Sequence, residues 1–150
     1  MVINNELSTR ETGLWFTLVI TFFTVTFLCS LLIEFAQVWW LQYPSAALVL
    51  ITILIYRFGG YHFINASFSE NAVEIKFYNL FPYGRKFRMI KIIPSQIKQI
   101  RILKGFMGIG RGVILYQNTG KSVAKYPYIG LSSINANDRN RMLLHLQEKK

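Results

Sequence analysis

The stretch that decides the fold is TGLWFTLVITFFTVTFLCSLLI, residues 12–33, followed after Glu34 by FAQVWWLQYPSAALVLITILIY, residues 35–56. Each stretch holds 22 residues and no charge. A helix rises about 1.5 Å per residue, so about 20 apolar residues cross a hydrocarbon core of about 30 Å. Neither stretch has the polar stripe of a helix in a soluble protein. The sequence therefore predicts two transmembrane helices, with spans at about 13–33 and 36–57.

The short connection between the spans predicts a tight antiparallel hairpin with its tip near Ile33–Gln37. A cleaved signal peptide is disfavoured, because no basic segment precedes the first apolar stretch and no small-residue cleavage site follows it. Cys29 is the one cysteine of the chain, so no intrachain disulfide can form. We expect Cys29 to be a free thiol within the first span.

Charges near the ends of the spans predict the orientation of the hairpin. Arg10, Arg57 and Lys76 flank the outer ends, whereas the tip carries no Lys or Arg. Positive residues are retained on the cytoplasmic side of a membrane. Both termini are therefore expected in the cytoplasm, and the protein is expected to be a multi-pass protein of a bacterial inner membrane.

Charge is distributed unevenly along the 150 residues, which carry 17 Lys and Arg, 7 Asp and Glu, and a formal net charge of +10. Residues 1–56 hold one basic and three acidic residues, whereas residues 57–150 hold sixteen basic and four acidic ones. The composition thus predicts two parts: a transmembrane hairpin over residues 1–58 and a basic cytoplasmic domain over residues 59–150.

The basic part has the periodicity of short β-strands. Apolar and polar residues alternate over 73–78, and Asn118-Thr119-Gly120 separates two further strand-like runs in the manner of a hairpin turn. About six strands are predicted. An apolar stripe of Met142, Leu143 and Leu146 predicts a C-terminal helix over about 135–148. The expected architecture is a two-helix membrane hairpin followed by a small antiparallel β-sandwich or barrel with a C-terminal helix.

Four segments carry a resemblance to a known family: FIN at 63–65, VEI at 73–75, IIPSQIKQI at 92–100 and NTGK at 118–121. Directly after two spans, they make residues 60–148 resemble the bacterial pleckstrin-homology-like membrane proteins. In that family a strand leads into a segment of the form basic, apolar, Pro, x, x, Ile, x, x, Ile. The resemblance implies a pleckstrin-homology-like β domain, but no shared catalytic residues and no defined ligand.

Carboxylates and histidines are too sparse in the basic part to indicate catalysis. Its carboxylates are Glu70, Glu74, Asp138 and Glu148. None of these positions implies a close carboxylate pair for acid–base chemistry, and neither His62 nor His145 has a cysteine partner for a metal site. We therefore expect no catalytic residue, no metal, no cofactor and no enzymatic activity.

Two glycine-containing motifs have alternative interpretations. Gly120-Lys121-Ser122 ends like a phosphate-binding loop, but Leu115 stands where that motif needs its first glycine, so a hairpin turn is favoured. Four glycines over 105–112 predict either a flexible strand connection or, with Lys104 and Arg111 beside them, a loop whose N–H groups bind an anion.

The strongest functional signal is electrostatic, because residues 75–137 hold eleven Lys and Arg and not one Asp or Glu. Such a stretch is either an evenly solvated basic surface or a site for a polyanion. Lys86 and Arg88 alternate with Phe87 and Met89, which predicts that both basic side chains lie on the polar face of a strand. The predicted anion-binding residues are Arg85, Lys86, Arg88, Lys91, Lys98, Arg101, Lys104 and Arg111.

Two functions remain open at this point. The first is a non-enzymatic, membrane-anchored domain that recognises a polyanion, either anionic lipid headgroups or a protein partner, because each Lys or Arg near an anionic leaflet contributes about 1 kcal/mol. The alternative is a membrane effector of the antiviral defence type. There a phosphorylated second messenger, such as a cyclic oligonucleotide, would bind the β domain, oligomerise the chain or rearrange the helices, and disrupt the membrane. No duplex nucleic acid is expected, because no nucleic-acid-binding motif is present.

Overall fold

The computed structural model of the chain describes residues 1–32, 39–69, 71–105, 108, 110–120 and 122–148. A 3₁₀ turn at Pro94–Gln96 separates the two groups of strands described below. Two long apolar helices, antiparallel sheets and a C-terminal helix confirm the predicted architecture at this level. The elements in chain order are β1 (Val2–Asn4), α1 (Glu6–Leu32), α2 (Trp39–Phe58), β2 (His62–Phe68), β3 (Val73–Asn79), β4 (Arg88–Ile92), β5 (Ile97–Lys104), β6 (Arg111–Asn118), β7 (Val123–Lys125), β8 (Ile129–Gly130) and α3 (Ala136–Glu148).

Helices α1 and α2 are both long and apolar enough to cross a membrane. Very little of their apolar surface is buried by the rest of the protein, unlike the core helix of a soluble domain. Helix α1 begins at Glu6, two turns before the predicted span. The predicted tip at Ile33–Gln37 lies outside the described residues.

Polar groups join the two helices at the end far from the sheets. The Gln42 side chain donates from Nε2 to the carbonyl oxygen of Ser30, at 3.1 Å. This hydrogen bond links the first turn of α2 to α1 near the last described residue of that helix. Ser30 and Ser45 are both buried. Small residues of this kind are typical of places where membrane helices approach each other closely.

The strands form two antiparallel sheets that enclose one core. The first sheet has the order β1-β2-β3-β4, and the second has the order β5-β6-β7 with β8 also paired to β6. Ile64 and Ile75 from the first sheet meet Val113 and Leu115 from the second in a single cluster of buried side chains. The two sheets therefore bury their inward faces against each other.

Two sequence predictions about the C-terminal part are confirmed. The turn after β6 is a hairpin, in which the Thr119 N–H donates to Ser122 and Gly120 adopts a φ of +81°. Helix α3 covers 136–148, and both Met142 and Leu146 are buried in the common core. Gly120 and Ser122 therefore belong to a turn between two strands, and not to a phosphate-binding loop that leads into a helix.

Strand β1 was not predicted, and it ties the N-terminus to the β domain. It pairs antiparallel with β2. Next to it, Asn5 donates from Nδ2 to the His62 carbonyl at 3.0 Å and to Ser133 Oγ at 3.1 Å. Its Oδ1 accepts from the Ile64 N–H at 2.7 Å. Residues 1–5, which the sequence grouped with the membrane hairpin, are therefore part of the β domain.

Strand β4 faces the opposite way from the prediction at its first residue. It pairs with β3 so that Arg88 lies opposite the buried Phe77. Ile90 is buried two residues further on, whereas Phe87 and Met89 are exposed. Arg88 therefore belongs to the inward-facing row of β4 and not to the predicted outer row, but its side chain stays exposed at the end of the strand, as predicted. Residues 87–92 contain two overlapping apolar alternations, and pairing with β3 selects the one that points Ile90 inward.

Candidate functional site

The sheets leave an opening at the end of the β domain that adjoins the helices, and a cavity of about 340 Å³ lies there. Position 62 on β2 and position 88 on β4 belong to the inward-facing rows, but at this end the rows carry polar groups instead of core residues. The cavity is termed the mouth cavity below. Its polar lining residues are Arg57, His62, Asn79, Lys86, Arg88 and Tyr128.

Asn79 connects the mouth cavity to the end of α2. Its Nδ2 donates to the carbonyl of Arg57 at 3.2 Å, and its Oδ1 accepts from the Phe81 N–H at 2.8 Å. The Arg57 guanidinium lies over the Phe81 ring, with 5.5 Å between the guanidinium carbon and the ring centroid. These contacts fix the start of the β3–β4 loop, which carries Lys86, against the last turn of the apolar helix.

The mouth cavity collects positive charge without a local counter-charge. Arg57, Lys86 and Arg88 line it, and no acidic residue is among its lining residues. None of these three forms an ion pair with a carboxylate in the described part of the chain, whereas Lys76 is paired with Glu74 at 2.9 Å. Three converging cations in a concave, partly desolvated site attract an anion.

His62 is a neutral group in the wall of the mouth cavity. Its Nδ1 accepts a hydrogen bond from the Gly130 N–H, which leaves Nε2 as the protonated nitrogen. The pKa of His62 is lowered to about 4. Burial is the main cause of this shift, and the positive charge of the nearby Arg88 is the second cause. At neutral pH the ring is therefore an N–H donor without a charge.

Tyr128 supplies a second neutral donor. Its hydroxyl is buried and has no hydrogen-bond partner among the described residues. Burial also raises the pKa of Tyr128, so the hydroxyl keeps its proton at neutral pH. A side chain at Gly112 would overlap the Tyr128 ring, and one at Gly60 would crowd its hydroxyl. An unpaired buried hydroxyl is costly, and this one lies against Gly60 and Gly112 behind the cavity wall.

The structure brings some of the predicted anion-binding residues of the first sheet together. Lys86 and Arg88 line the mouth cavity. Arg85 lies beside it and donates from Nη2 to the Leu80 carbonyl at 3.0 Å. Lys91 is on the outer face of β4, opposite Glu74, and does not reach the cavity.

The other four predicted residues, Lys98, Arg101, Lys104 and Arg111, belong to the second sheet. All four are exposed, and none lines the mouth cavity. Lys104 lies directly opposite Arg111 across the β5–β6 pair, where like charges repel. The glycines beside them form the β5–β6 connection, in which the Gly105 N–H donates to the Gly110 carbonyl at 3.1 Å. Phe106, Met107 and Ile109 of this segment lie outside the described residues, as does Lys121.

Sequence reasoning missed four polar residues of the mouth cavity: Arg57, His62, Asn79 and Tyr128. Arg57 was used only as a topology signal at the end of a span. His62 is two residues from Ile64 on an alternating strand, which was enough to place it on the inward face. Tyr128 gave no signal, because its contacts with residues 60 and 112 depend on the tertiary fold.

Comparisons of the chain with protein-family models, with curated proteins and with solved structures found no match. The pleckstrin-homology-like relationship therefore stays a prediction.

Proposed function

We propose that this protein is a non-enzymatic, membrane-anchored binding protein whose mouth cavity holds the phosphate group of an anionic ligand. The observation that carries the proposal is the convergence of Arg57, Lys86 and Arg88 in one cavity. Arg57 belongs to the last turn of an apolar helix, which sets the cavity at headgroup depth once that helix crosses the membrane. An anionic lipid headgroup is therefore the favoured ligand.

Helices α1 and α2 serve in this proposal as an anchor, with both termini in the cytoplasm. The hydroxyls of Thr17, Thr26 and Thr52 each donate to the carbonyl four residues earlier, at 2.9, 2.9 and 2.7 Å. These hydroxyls are satisfied within their own helices and need no water-filled channel. They support an anchor more than a pore.

The finer fold assignment is a proposal as well. Four strands in one sheet, the remaining strands in a second and a C-terminal helix packed on the core support a pleckstrin-homology-like architecture. The second sheet starts after the turn at Pro94–Gln96, within the segment that carries the family resemblance.

A phosphorylated second messenger is the second candidate ligand. The volume of about 340 Å³ lies in the range of small-molecule sites, and the neutral His62 ring in the cavity wall offers a hydrogen bond that a sugar or base could accept. In this version the ligand would enter from the cytoplasm, and the helices would respond to it. Both candidate ligands carry a phosphate group, so both can be offered to the same site in one binding experiment that compares them.

The test is native mass spectrometry of the full-length chain in detergent, with phosphatidylglycerol, phosphatidylcholine or a cyclic dinucleotide added. We expect phosphatidylglycerol adducts that are lost in the double variant Lys86→Gln, Arg88→Gln. At about 1 kcal/mol per cation, the dissociation constant should rise roughly 30-fold. The matched control is Lys98→Gln, Arg101→Gln, which removes the same charge from the second sheet and should bind as the unchanged chain does.

Equal losses in both double variants would contradict a cavity site and indicate a diffuse basic surface. Preferential binding of the cyclic dinucleotide, lost in the same cavity variant, would select the second candidate. Equal binding of the neutral and the anionic lipid, with no dinucleotide bound, would refute both.

A further inference from the structure

The β3–β4 loop and the start of β4 present large apolar side chains to the outside of the domain. Tyr83 is 79% exposed, Phe87 80% and Met89 57%. These three residues are termed the loop patch. Phe87 and Met89 line one cleft together, and Tyr83 adjoins Phe81 at the helix end of the same loop. Exposed apolar side chains on one such surface mark an interaction site.

The loop patch continues into an apolar cleft on the outer face of the first sheet. The cleft has a volume of about 370 Å³; its surface is mainly apolar, from Phe63, Tyr78, Phe87 and Met89, and its rim includes Asn65, Lys76 and Arg88. The rings of Tyr78 and Phe87 are 4.7 Å apart, and those of Phe63 and Tyr78 stack at 4.9 Å. The apolar surface is therefore continuous from the loop onto the sheet.

The loop is held at the depth of the helix end. Phe81, where it begins, packs against Tyr56 of α2 with 5.7 Å between ring centroids, and the ring of Tyr83 is 6.1 Å from that of Phe81. The hydroxyl of Tyr56 donates to the Leu80 carbonyl at 3.1 Å. Tyr56 also stacks on Phe16 of α1, so both helices meet the domain in this aromatic layer.

Basic residues flank the loop patch. Arg85 lies over the Tyr78 ring at 5.8 Å, and Lys86 and Arg88 alternate with Phe87 along the chain. Aromatic and aliphatic side chains interleaved with cations are typical of segments that lie in the headgroup region of an anionic leaflet. A second copy of this chain would bring the same positive charges against each other, so charge complementarity favours lipid.

We propose that the loop patch inserts into the leaflet from which α2 emerges, so that Tyr83, Phe87 and Met89 contact lipid and orient the β domain on the membrane surface. The proposal rests on the membrane anchoring in the proposed function but not on occupancy of the mouth cavity. Insertion by apolar side chains occurs in neutral as well as anionic bilayers, whereas headgroup binding by the cavity needs anionic lipid.

The test uses the full-length chain with Cys29→Ser and one new cysteine, labelled with an environment-sensitive fluorophore and reconstituted in phosphatidylcholine bilayers. Phe87→Cys and, independently, Tyr83→Cys are the labelled sites; both positions are exposed, so neither change disturbs the core. Thr119→Cys is the matched control. Gly110, just before β6, lies against Gly59, and Thr119 follows the far end of this eight-residue strand, so Thr119 is about 25 Å from the helix end.

We expect blue-shifted emission at positions 83 and 87, quenching by spin labels on the lipid chains, and neither effect at position 119. Both effects should persist in the Lys86→Gln, Arg88→Gln background, which separates insertion from cavity binding. Water-like emission at all three sites would overturn the proposal. So would a blue shift that lipid-borne quenchers do not reach or that disappears on dilution of the protein in lipid, because the patch would then be covered by protein.

Discussion

At the scale of single residues, His62 and Gly130 join the mouth cavity to the core. The His62 imidazole accepts the Gly130 N–H, and its own carbonyl accepts from Ser133 and Asn5. Because His62 holds three chain segments together, the stability of the fold should depend on the protonation of His62 and on the size of the residues beside it.

Acid should weaken the fold through His62. Its pKa is about 6.5 in an unfolded chain and about 4 in the folded one, so between these values the unfolded chain binds the extra proton. The contribution to the free energy of unfolding is complete above pH 6.5 and falls by about 3 kcal/mol as the pH drops towards 4. Unfolding of the detergent-solubilised chain at several pH values measures this slope. His62→Gln should flatten it over this window, and an unchanged slope would contradict the assignment.

Gly130 should not tolerate even a methyl group. A Cβ there would overlap the backbone of Gly60, which cannot move without shifting the start of β2. We expect Gly130→Ala to lower the free energy of unfolding by about 3 kcal/mol, the upper end of overpacking costs. Gly120→Ala is the control: its φ of +81° costs about 1 kcal/mol, but no atom lies within 4 Å of the added carbon. Similar losses in the two variants would show that the close approach at Gly130 relaxes freely.

At the scale of elements, the three-residue strand β1 contributes more than its length suggests. Ile3 is buried among the core side chains of the first sheet, whereas Val2 points outward. The cost of Ile3→Ala is expected to be about 3 kcal/mol, as for other large-to-small core changes. Val2→Ala should cost little, because its side chain is exposed. Equal effects on thermal unfolding would mean that β1 is not part of the cooperative unit.

Elements with long, regular patterns were predictable, and elements whose position depends on a partner strand were not. Helices α1 and α2 follow from 22 uncharged residues each. Strand β1 is too short for any periodicity and is specified by its pairing with β2 and by Asn5. The facing of β4 was ambiguous in the sequence, because apolar residues occupy both phases between Phe87 and Ile92, and β3 decides between them.

At the scale of the whole molecule, the β1–β2 pairing places the N-terminus and the β domain on the same side of the membrane that the helices are proposed to cross. A membrane-impermeant maleimide tests this with Val2→Cys and Thr119→Cys, each in a Cys29→Ser chain. Since the N-terminal side is proposed to be cytoplasmic, both cysteines should react in inside-out vesicles and neither in intact cells. Labelling on opposite sides would contradict the paired sheet.

The mouth cavity also exists only at this scale. Its cations come from the end of α2, from the β3–β4 loop and from the first residue of β4, and its Tyr128 comes from the segment before β8. Counting charge along the chain found Lys86 and Arg88 but ranked four residues of the second sheet equally with them. The packing of the two sheets places Lys86 and Arg88 at the cavity and leaves the four residues of the second sheet away from it.

The pairing of β1 with β2 also sets an order of events during synthesis. Residues 2–4 leave the ribosome about sixty residues before their partners at 65–67, and both apolar helices lie between them in the chain. With the helices crossing the membrane as proposed, the sheet can close only after they have inserted as a hairpin that returns the chain to its starting side. A chain that crosses the membrane once would leave β1 and β2 on opposite faces, with Ile3 and the edge of β2 uncovered. In the proposed topology, the first sheet is thus complete only in a correctly inserted chain, and a misinserted chain exposes unpaired β edges that can pair with other chains.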